Sequence, residues 1–384
     1  MVVLRMGLFS YNGVLAPLLP AMSHTLHMSL AATAQIVAAG PLAWGLGAVF
    51  LTPLVVRFSS NRLMVGGALL MAAFSVLSGM TASYVVLLAV RLLGGLAGGA
   101  TGPTSQVYLM ERYEGQAQTS AIGWVAAGYA AGGLVMVPAL VLLAGAVGWQ
   151  GAVEVVGAFF ALITWALART LSAVPQHKPA VAAPRAYQGA LVRVFRAPGA
   201  LGALVANCLE RAANQSVVTF LPVMLLLRYH LTYTQVAPIL SAFSGAAVVG
   251  SLIGGSWPRG LAGEERSRRA YFWGLVPAML FIALVFAPLG ATWIIVSMSV
   301  AYALTDAYVR PIYLKLIGTI TAPRSTLGWN ALGNQLGSML GTSAPSLLIE
   351  GLGFGFIGGW GAALTAVAAV TMLRRGVTRT RHTE

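Results

Sequence analysis

The sequence predicts an all-α membrane protein whose twelve transmembrane helices form two pseudo-symmetric six-helix bundles. Hydrophobic residues make up 58% of the 384 residues and charged residues only 8%, whereas about a quarter of a soluble domain is charged. Apolar segments of membrane-spanning length recur along the chain, and its two halves repeat each other. Together with a mean hydropathy of +0.81, these observations exclude an ordinary soluble protein and indicate a polytopic membrane protein.

Twelve apolar segments of roughly 20 residues are each long enough to cross the hydrocarbon core of a bilayer. We number them spans 1 to 12. Spans 1 to 6 are predicted at 6–23, 33–56, 63–80, 84–108, 118–143 and 150–171, and spans 7 to 12 at 200–227, 234–256, 270–289, 292–316, 325–349 and 353–373. The polar, basic stretch 174–199 separates the two sets, so we expect bundles at 1–173 and 200–384 joined by a cytoplasmic central loop.

The basic residues indicate how the spans are oriented, because cytoplasmic loops carry an excess of Lys and Arg. If both termini are cytoplasmic, 19 of the 23 Lys and Arg residues fall on the cytoplasmic side. The exceptions are Arg228 on the outside and Arg91, Arg211 and Arg310 within spans. Topology thereby explains the net charge of +14, and no nucleic-acid partner is expected. We expect a multi-pass protein of the bacterial cytoplasmic (inner) membrane.

Two sets of residues recur between the halves at nearly equal offsets, as in an internally duplicated membrane protein. Tyr108, Leu109, Gly123, Trp124, Gly128 and Gly132 recur as Tyr313, Leu314, Gly328, Trp329, Gly333 and Gly337, 205 residues later. Asn12, Leu19, Pro20 and Met22 recur as Asn214, Leu221, Pro222 and Met224, 202 residues later. Both offsets are close to half the chain length, so duplication is a better explanation than coincidence.

The most polar stretch inside a span lies at 207–215 in span 7. Residues three and four apart share one face of a helix, so Asn207, Glu210, Arg211 and Asn214 form one polar stripe. A Glu and an Arg near the middle of a span are costly in hydrocarbon, and by default they mark a functional site that faces a water-filled interior.

Four further spans carry deep polar side chains. These side chains are Tyr11 and Asn12 in span 1, Arg91 in span 4, Tyr302, Asp306 and Arg310 in span 10, and Asn330 and Asn334 in span 11. Asn12 is the repeat partner of Asn214 and is expected at an equivalent depth. For Asn330 and Asn334, hydrogen bonding between helices is favoured over substrate contact.

Three motifs in the first half of the chain stand out. Span 4 contains Arg91 followed by a run of Gly, Ala and Leu to residue 99. Span 5 carries the pattern GWxxxGxxxGG at 123–133, and Gly-Trp-Gln follows at 148–150. These motifs resemble those of the major facilitator superfamily, in particular its drug:proton antiporter and sugar efflux branch. The loop at 53–62 departs from the family pattern because it lacks the usual Asp.

The resemblance implies that spans 1, 4, 7 and 10 line a central cavity, and all five deep ionisable residues lie on spans 4, 7 and 10. It also implies that Arg91 would help proton transfer or hold an anionic group, while the deep carboxylates Glu210 and Asp306 are the candidates for proton coupling. The substrate-binding candidates are Tyr11, Asn12, Arg91, Asn207, Arg211, Asn214, Tyr302, Arg310, Asn330 and Asn334.

Two carboxylates compete for the role of proton carrier. Asp306 and Arg310 are four residues apart, so a purely structural ion pair within span 10 is an equal alternative. Glu210 is adjacent to Arg211 but roughly 100° away around the helix, so its partner is less obvious. We therefore expect Glu210, rather than Asp306, to carry the proton.

The sequence and the resemblance together predict a monomeric secondary active transporter that works by alternating access. Proton-coupled efflux of small organic compounds by antiport is favoured. The alternatives are proton-coupled uptake of a small anionic metabolite, which the excess of deep Arg over acidic residues supports, and a non-transporting membrane sensor. An enzyme is not expected, because phosphate-loop, nucleophile-elbow and zinc motifs are absent from the sequence. The expected partners are a small-molecule substrate, protons and the lipid bilayer, without cofactor or metal.

Overall fold

A computed structural model describes most of the chain. The described residues are 4, 7, 8, 11, 15–51, 58–110, 112, 113, 117, 121, 124, 128, 131–172, 199–256, 264–320 and 323–373. The regular structure within these ranges is entirely helical. Asn12 and nearly all of the predicted central loop lie outside the described residues.

Within the described residues, the first six spans comprise five α-helices and two short irregular helical segments, and most of span 5 before residue 131 lies outside those residues. Span 1 contains a 3₁₀ turn at Ala16–Leu18 and a helix at Leu19–Leu26; spans 2, 3 and 4 are helices Leu30–Phe50, Ser60–Gly79 and Tyr84–Met110. A π-helical segment at Gly132–Met136 leads into helix Val137–Ser172, which holds the end of span 5 and all of span 6. Gly148, with φ 77° and ψ 167°, breaks this helix into the two predicted spans.

Spans 7 to 12 are six long helices. Their bounds are Ala200–Leu227, Tyr233–Ser256, Glu264–Phe286, Thr292–Ile320, Pro323–Leu352 and Gly355–Leu373. Span 9 begins at Glu264 and not at 270 as predicted. Ion pairs from Arg268 to Glu264 (2.7 Å) and from Arg269 to Glu265 (2.5 Å) stabilise this extra polar turn.

The helices run antiparallel to their chain neighbours, so the bundle has two ends. The His230 end holds the connections after spans 1 and 7, where His27 and His230 both adopt a left-handed φ of 51°. This shared geometry is what equivalent positions of a sequence repeat would adopt. The Ala200 end holds the starts of spans 7, 9 and 11 and the ends of spans 10 and 12. We use these two names below.

Eight helices among the described residues are long and apolar enough to cross a membrane. Spans 7 and 11 exceed the required length but fall outside this group of eight. Both carry polar stripes, and the two helices pack against each other inside the bundle. Their polar side chains are thereby placed in the interior, where they can form a site.

Among the described residues, the two halves of the chain contact each other mainly along three helix pairs. Between spans 2 and 11, Gln35 Nε2 donates to Ser346 Oγ at 3.0 Å. Between spans 5 and 8, Ser244 Oγ donates to the carbonyl of Gly133 at 3.1 Å. Val223 of span 7 packs in one apolar cluster with Leu15 of span 1. Span 7 therefore lies at the junction between the halves.

Candidate functional site

Glu210 and Arg211 form an ion pair in the middle of span 7. Arg211 Nε donates to Glu210 Oε2 at 2.7 Å, and Arg211 Nη2 donates to Glu210 Oε1. The Glu210 side chain is 3% exposed and that of Arg211 14%. The partner of Glu210, which the sequence left open, is thus its neighbour Arg211, because both side chains are long enough to bend towards each other beside the helix.

Asp306 of span 10 is the acceptor on which several donors converge. Its Oδ2 accepts from Arg310 Nη2 at 2.8 Å, Asn214 Nδ2 at 3.0 Å and Arg211 Nη2 at 3.5 Å. Its Oδ1 accepts from the Tyr302 hydroxyl at 3.3 Å. The ion pair predicted within span 10 is thus present, but span 7 also contributes two donors.

We call Glu210, Arg211, Asn214, Tyr302, Asp306 and Arg310 the charged cluster. Its two carboxylates and two guanidinium groups balance in charge, as buried ionic groups generally must. The partners are distributed unequally, however. Asp306 accepts from four side chains, whereas Glu210 accepts hydrogen bonds from Arg211 alone among the described contacts. Loss of charge at Glu210 would therefore break one ion pair and leave the Asp306 network in place.

A second polar group joins spans 7 and 11. Asn207 Nδ2 donates to Asn334 Oδ1 at 2.6 Å and approaches Asn330 Oδ1 at 3.4 Å. Gly337, one turn along span 11 from Asn334, lies directly against the backbone of Cys208 and the side chain of Arg211. The missing side chain at Gly337 lets the two helices approach closely enough for the amides to meet.

Arg91 and Tyr11 form a separate pair in the first half. Arg91 Nη2 donates to the Tyr11 carbonyl at 2.8 Å, the Tyr11 hydroxyl donates to the Arg91 carbonyl at 2.9 Å, and the guanidinium lies 4.1 Å from the ring centroid. A methyl group at Gly94 would overlap the Tyr11 hydroxyl, which explains why a small residue follows Arg91 by three positions. Within the described residues, no carboxylate contacts Arg91.

The structure thus brings together most of the predicted site residues in two neighbouring groups. Asn207, Glu210, Arg211, Asn214, Tyr302, Asp306, Arg310, Asn330 and Asn334 lie on spans 7, 10 and 11 of the second half. Arg91 and Tyr11 lie apart from them, and no described contact connects the two sets. Asn12 lies outside the described residues.

Two hydrogen bonds between span 7 and span 11 were not predicted from the sequence. Ser216 Oγ donates to the Gly341 carbonyl at 2.9 Å, and the hydroxyls of Thr219 and Thr342 are 3.2 Å apart. The Ser and Thr residues spaced along both spans could have indicated these hydrogen bonds. In the part of the chain that the structure describes, no three His, Cys, Asp or Glu side chains lie together as a metal ion would require.

Comparisons with known proteins identify the family to which the chain belongs. The family model of the Major Facilitator Superfamily matches residues 2–342. The inner membrane transport protein YdhP of Escherichia coli, from strains O157:H7 and K12, is 25% identical over 366 residues, covering 91% of this chain and 88% of that protein.

Among solved structures, the chain is similar in fold to a bacterial homologue of the human lysosomal transporter Spinster, crystallised in an inward-facing and occupied conformation. The TM-score is 0.66 at 15% identity, and the match covers 97% of this chain and 90% of that one. At this identity the likeness concerns the fold alone. The family match extends over most of the chain. The chain therefore belongs to the major facilitator superfamily of multi-pass membrane transporters.

Proposed function

We propose that this protein is a proton-coupled secondary active transporter in which Glu210 carries the proton. The observation that supports this role is the single ion-pair partner of Glu210, beside an Asp306 that is held by four donors. Protonation of Glu210 would release Arg211, whose remaining acceptor is Asp306 on span 10. A change in charge on span 7 is thereby converted into a change in contact between two helices.

The transport cycle we propose is alternating access between two bundles, 1–173 and 200–384. The charged cluster lies near mid-helix in spans 7 and 10, and inverted-repeat transporters bind solutes at this depth. Proton binding changes the relative free energies of the two conformations, and this difference drives the solute step. We further propose that the Ala200 end and both termini face the cytoplasm, as the distribution of Lys and Arg favours.

We propose small organic compounds as the substrates and efflux by antiport as the direction. The glycine-rich pattern of span 5, which resembles that of exporters, supports this direction. Asn207, Asn330 and Asn334 supply neutral amides beside the charged cluster, and such groups suit solutes with hydroxyl or amide functions. The bacterial inner membrane is the proposed location, in keeping with the name of the Escherichia coli relatives.

Uptake of a small anionic metabolite by symport is the second candidate, and Arg91 is the observation that favours it. Arg91 is buried, and in the described contacts it is held by a backbone carbonyl and an aromatic ring rather than by an acid. An anionic solute could supply the missing negative charge. Arg91→Lys retains the charge but loses the planar guanidinium, so it should weaken the binding of carboxylate-bearing solutes more than that of neutral ones.

The experiment that tests the proposed function measures proton movement in proteoliposomes that contain a pH-sensitive dye. A panel of neutral and anionic organic compounds is applied to the wild type, to Glu210→Gln, and to Glu265→Gln as a control at an exposed carboxylate. We expect at least one compound to trigger proton movement in the wild type and the control, with the signal abolished in Glu210→Gln.

The sign of the signal distinguishes antiport from symport. Solute exchange without net proton movement should survive partly in Glu210→Gln, because the variant resembles the permanently protonated state. Equal loss of coupled flux and of exchange would refute the proton role of Glu210. Absence of any solute-dependent flux across the panel, with solute binding retained, would favour the membrane-sensor alternative.

A further inference from the structure

Two buried tyrosines lie in the second bundle beyond the residues used above. Tyr271 of span 9 is 1% exposed and Tyr313 of span 10 is 3% exposed. Their ring centroids are 6.3 Å apart, with the ring planes inclined at 50°. Neither hydroxyl has a hydrogen-bond partner among the described residues. Buried hydroxyls in folded proteins nearly always bond to protein or to ordered water, so this pair is a candidate water site.

Several of the side chains packed around the pair are small, and the others are larger apolar residues such as Leu275, Leu316 and Met372. Tyr271 and Tyr313 pack in one cluster with Ala203 and Ala206 of span 7 and with Ala368 and Ala369 of span 12. These four side chains are single methyl groups on two helices that face the tyrosines. A buried water is stable where at least two polar groups can bond to it, and the two unpartnered hydroxyls supply such groups.

The pair also lies between the charged cluster and the Ala200 end. Ala206 is one helical turn before Glu210 in span 7, and Tyr313 is almost one turn beyond Arg310 in span 10. Tyr271 and Tyr313 both lie within electrostatic range of Glu210. Arg310 Nε, on the cluster side of Tyr313, is a further buried donor without a described partner.

Towards the Ala200 end, the polar groups continue to solvent. Arg268 is one turn before Tyr271 in span 9 and is 4% exposed. It donates to the Met372 carbonyl at 2.7 Å and to Glu264 Oε1 at 2.7 and 2.9 Å. The Glu264 side chain is 53% exposed. In helix order, polar side chains therefore occur at successive levels from Glu210 past the tyrosine pair and Arg268 to the surface.

We propose that Tyr271 and Tyr313 hold a short water chain that carries protons between Glu210 and the Ala200 end, inside the second bundle and behind span 7. The inference rests on the proposed role of Glu210 as the proton carrier. In the step from the cluster to the surface, the Glu210 carboxyl gives its proton to the adjacent water. Each water passes one of its own protons onward, the last proton enters bulk water, and the carboxylate pairs again with Arg211. The cleft between the halves is then free for the solute.

Hydroxyl-radical footprinting of the full-length protein in lipid nanodiscs tests for the water directly. Radicals formed by X-rays at bound waters oxidise the side chains that contact those waters. After correction for intrinsic reactivity, we expect Tyr271 and Tyr313 to be oxidised severalfold faster than Phe220 and Phe286, which are fully buried in the same bundle. Oxidation at the rate of these phenylalanines would overturn the proposal.

Deuterium exchange tests whether the water conducts protons. The infrared band of the protonated Glu210 carboxyl is identified as the band lost in Glu210→Gln, and its shift is followed after transfer to deuterated water. We expect exchange about tenfold slower in the Tyr271→Phe/Tyr313→Phe double variant, since a positioned relay contributes factors of this order or more. The single variants should be intermediate, and Tyr229→Phe, at the His230 end, should exchange as the wild type does.

The two proposals fail in different ways. If no carboxyl band is lost in Glu210→Gln, the proton role of Glu210 itself is refuted, whatever the hydroxyl-radical footprinting shows. A band whose exchange is as fast in the double variant as in the wild type would refute only the water chain. Both rings are retained in the variants, and thermal unfolding checks that the double variant is folded.

Discussion

At the scale of single residues, the two buried carboxylates of the charged cluster have the same charge but different surroundings. Asp306 accepts from Arg211, Asn214, Tyr302 and Arg310, so its removal leaves several buried donors without an acceptor. Glu210 accepts from Arg211 alone in the described contacts, and Arg211 keeps Asp306 when Glu210 is neutral. The cluster therefore tolerates neutralisation of Glu210 better than that of Asp306.

This difference predicts the order of stability of two matched variants. Breaking a buried ion pair by removing one partner costs roughly 3–5 kcal/mol, and Asp306→Asn should approach this range because two arginines lose charge compensation. Glu210→Gln should cost clearly less. Thermal unfolding of both variants in the same detergent, with Glu265→Gln as a surface control, measures the order. A larger loss for Glu210→Gln would contradict the unequal roles assigned to the two acids.

The sequence located the polar residues of the site but not all of their partners. The ion pair between Asp306 and Arg310 follows from their spacing of four within one helix. The pairing of Glu210 with Arg211 does not, since it depends on how two long side chains bend. The contact between Arg91 and Tyr11 joins residues 80 positions apart, and no local pattern indicates it.

At the scale of helices, the site depends on close packing of span 11 against span 7. Gly337 and Gly341 lie directly against the span 7 backbone, at Cys208 and Ala212 respectively. The hydrogen bond from Ser216 to the Gly341 carbonyl requires this approach. Small residues where two helices meet allow van der Waals contact between the helix backbones. Such packing is the main attraction between helices in a membrane.

Gly341→Ala tests this packing, with Gly351→Ala on the same helix as its control. The added methyl at 341 would overlap the Ala212 carbonyl, whereas at 351 nothing lies within 4 Å. Overpacking typically costs about 1–3 kcal/mol, so Gly341→Ala should lower the unfolding temperature and weaken the contact of Asn207 with Asn334. Gly351→Ala should leave stability equal or raise it, because Ala favours helix. Equal effects of the two variants would refute the close packing.

Most helices could be predicted because an apolar span has a length set by the bilayer. Span 7 has the predicted bounds, Ala200–Leu227. Span 9 starts earlier than predicted because its first turn is held by ion pairs and not by apolar residues. The join between spans 5 and 6 was harder to foresee, since one glycine at positive φ, Gly148, replaces a loop.

At the scale of the whole molecule, contacts between the halves are prominent at the His230 end. Glu350 Oε1, at the end of span 11, accepts from the backbone N–H of Ala31 in the first turn of span 2 at 3.4 Å. Gln35 binds Ser346 one turn deeper, and Gly145 lies against Tyr233 near the start of span 8. The structure thus combines a His230 end in contact across the halves with an intact ion pair between Glu210 and Arg211.

If Glu210 carries the proton as proposed, this combination predicts that opening of the His230 end depends on its protonation. Among the described residues, Arg211 on its own helix, Tyr271 from span 9, and Tyr302, Asp306 and Tyr313 from span 10 are the ionisable groups that interact with Glu210, and Arg310 lies beyond Asp306. Protonation of Glu210 removes its attraction to Arg211 and leaves that guanidinium with Asp306 alone, so the contact between spans 7 and 10 changes. We therefore expect acid conditions to favour separation of the halves at the His230 end, and Glu210→Gln to imitate that effect at every pH.

Pulsed electron paramagnetic resonance between the halves tests this central claim most directly, because it needs no knowledge of the solute. Spin labels replace Met28 and Leu352, which are exposed at the His230 end, in a Cys208→Ala background that removes the native cysteine. In nanodiscs, the wild-type distance distribution should gain a longer component on acidification, and Glu210→Gln should show this component independently of pH. A wild type without any pH response, or a response that persists unchanged in Glu210→Gln, would contradict the coupling of Glu210 to alternating access.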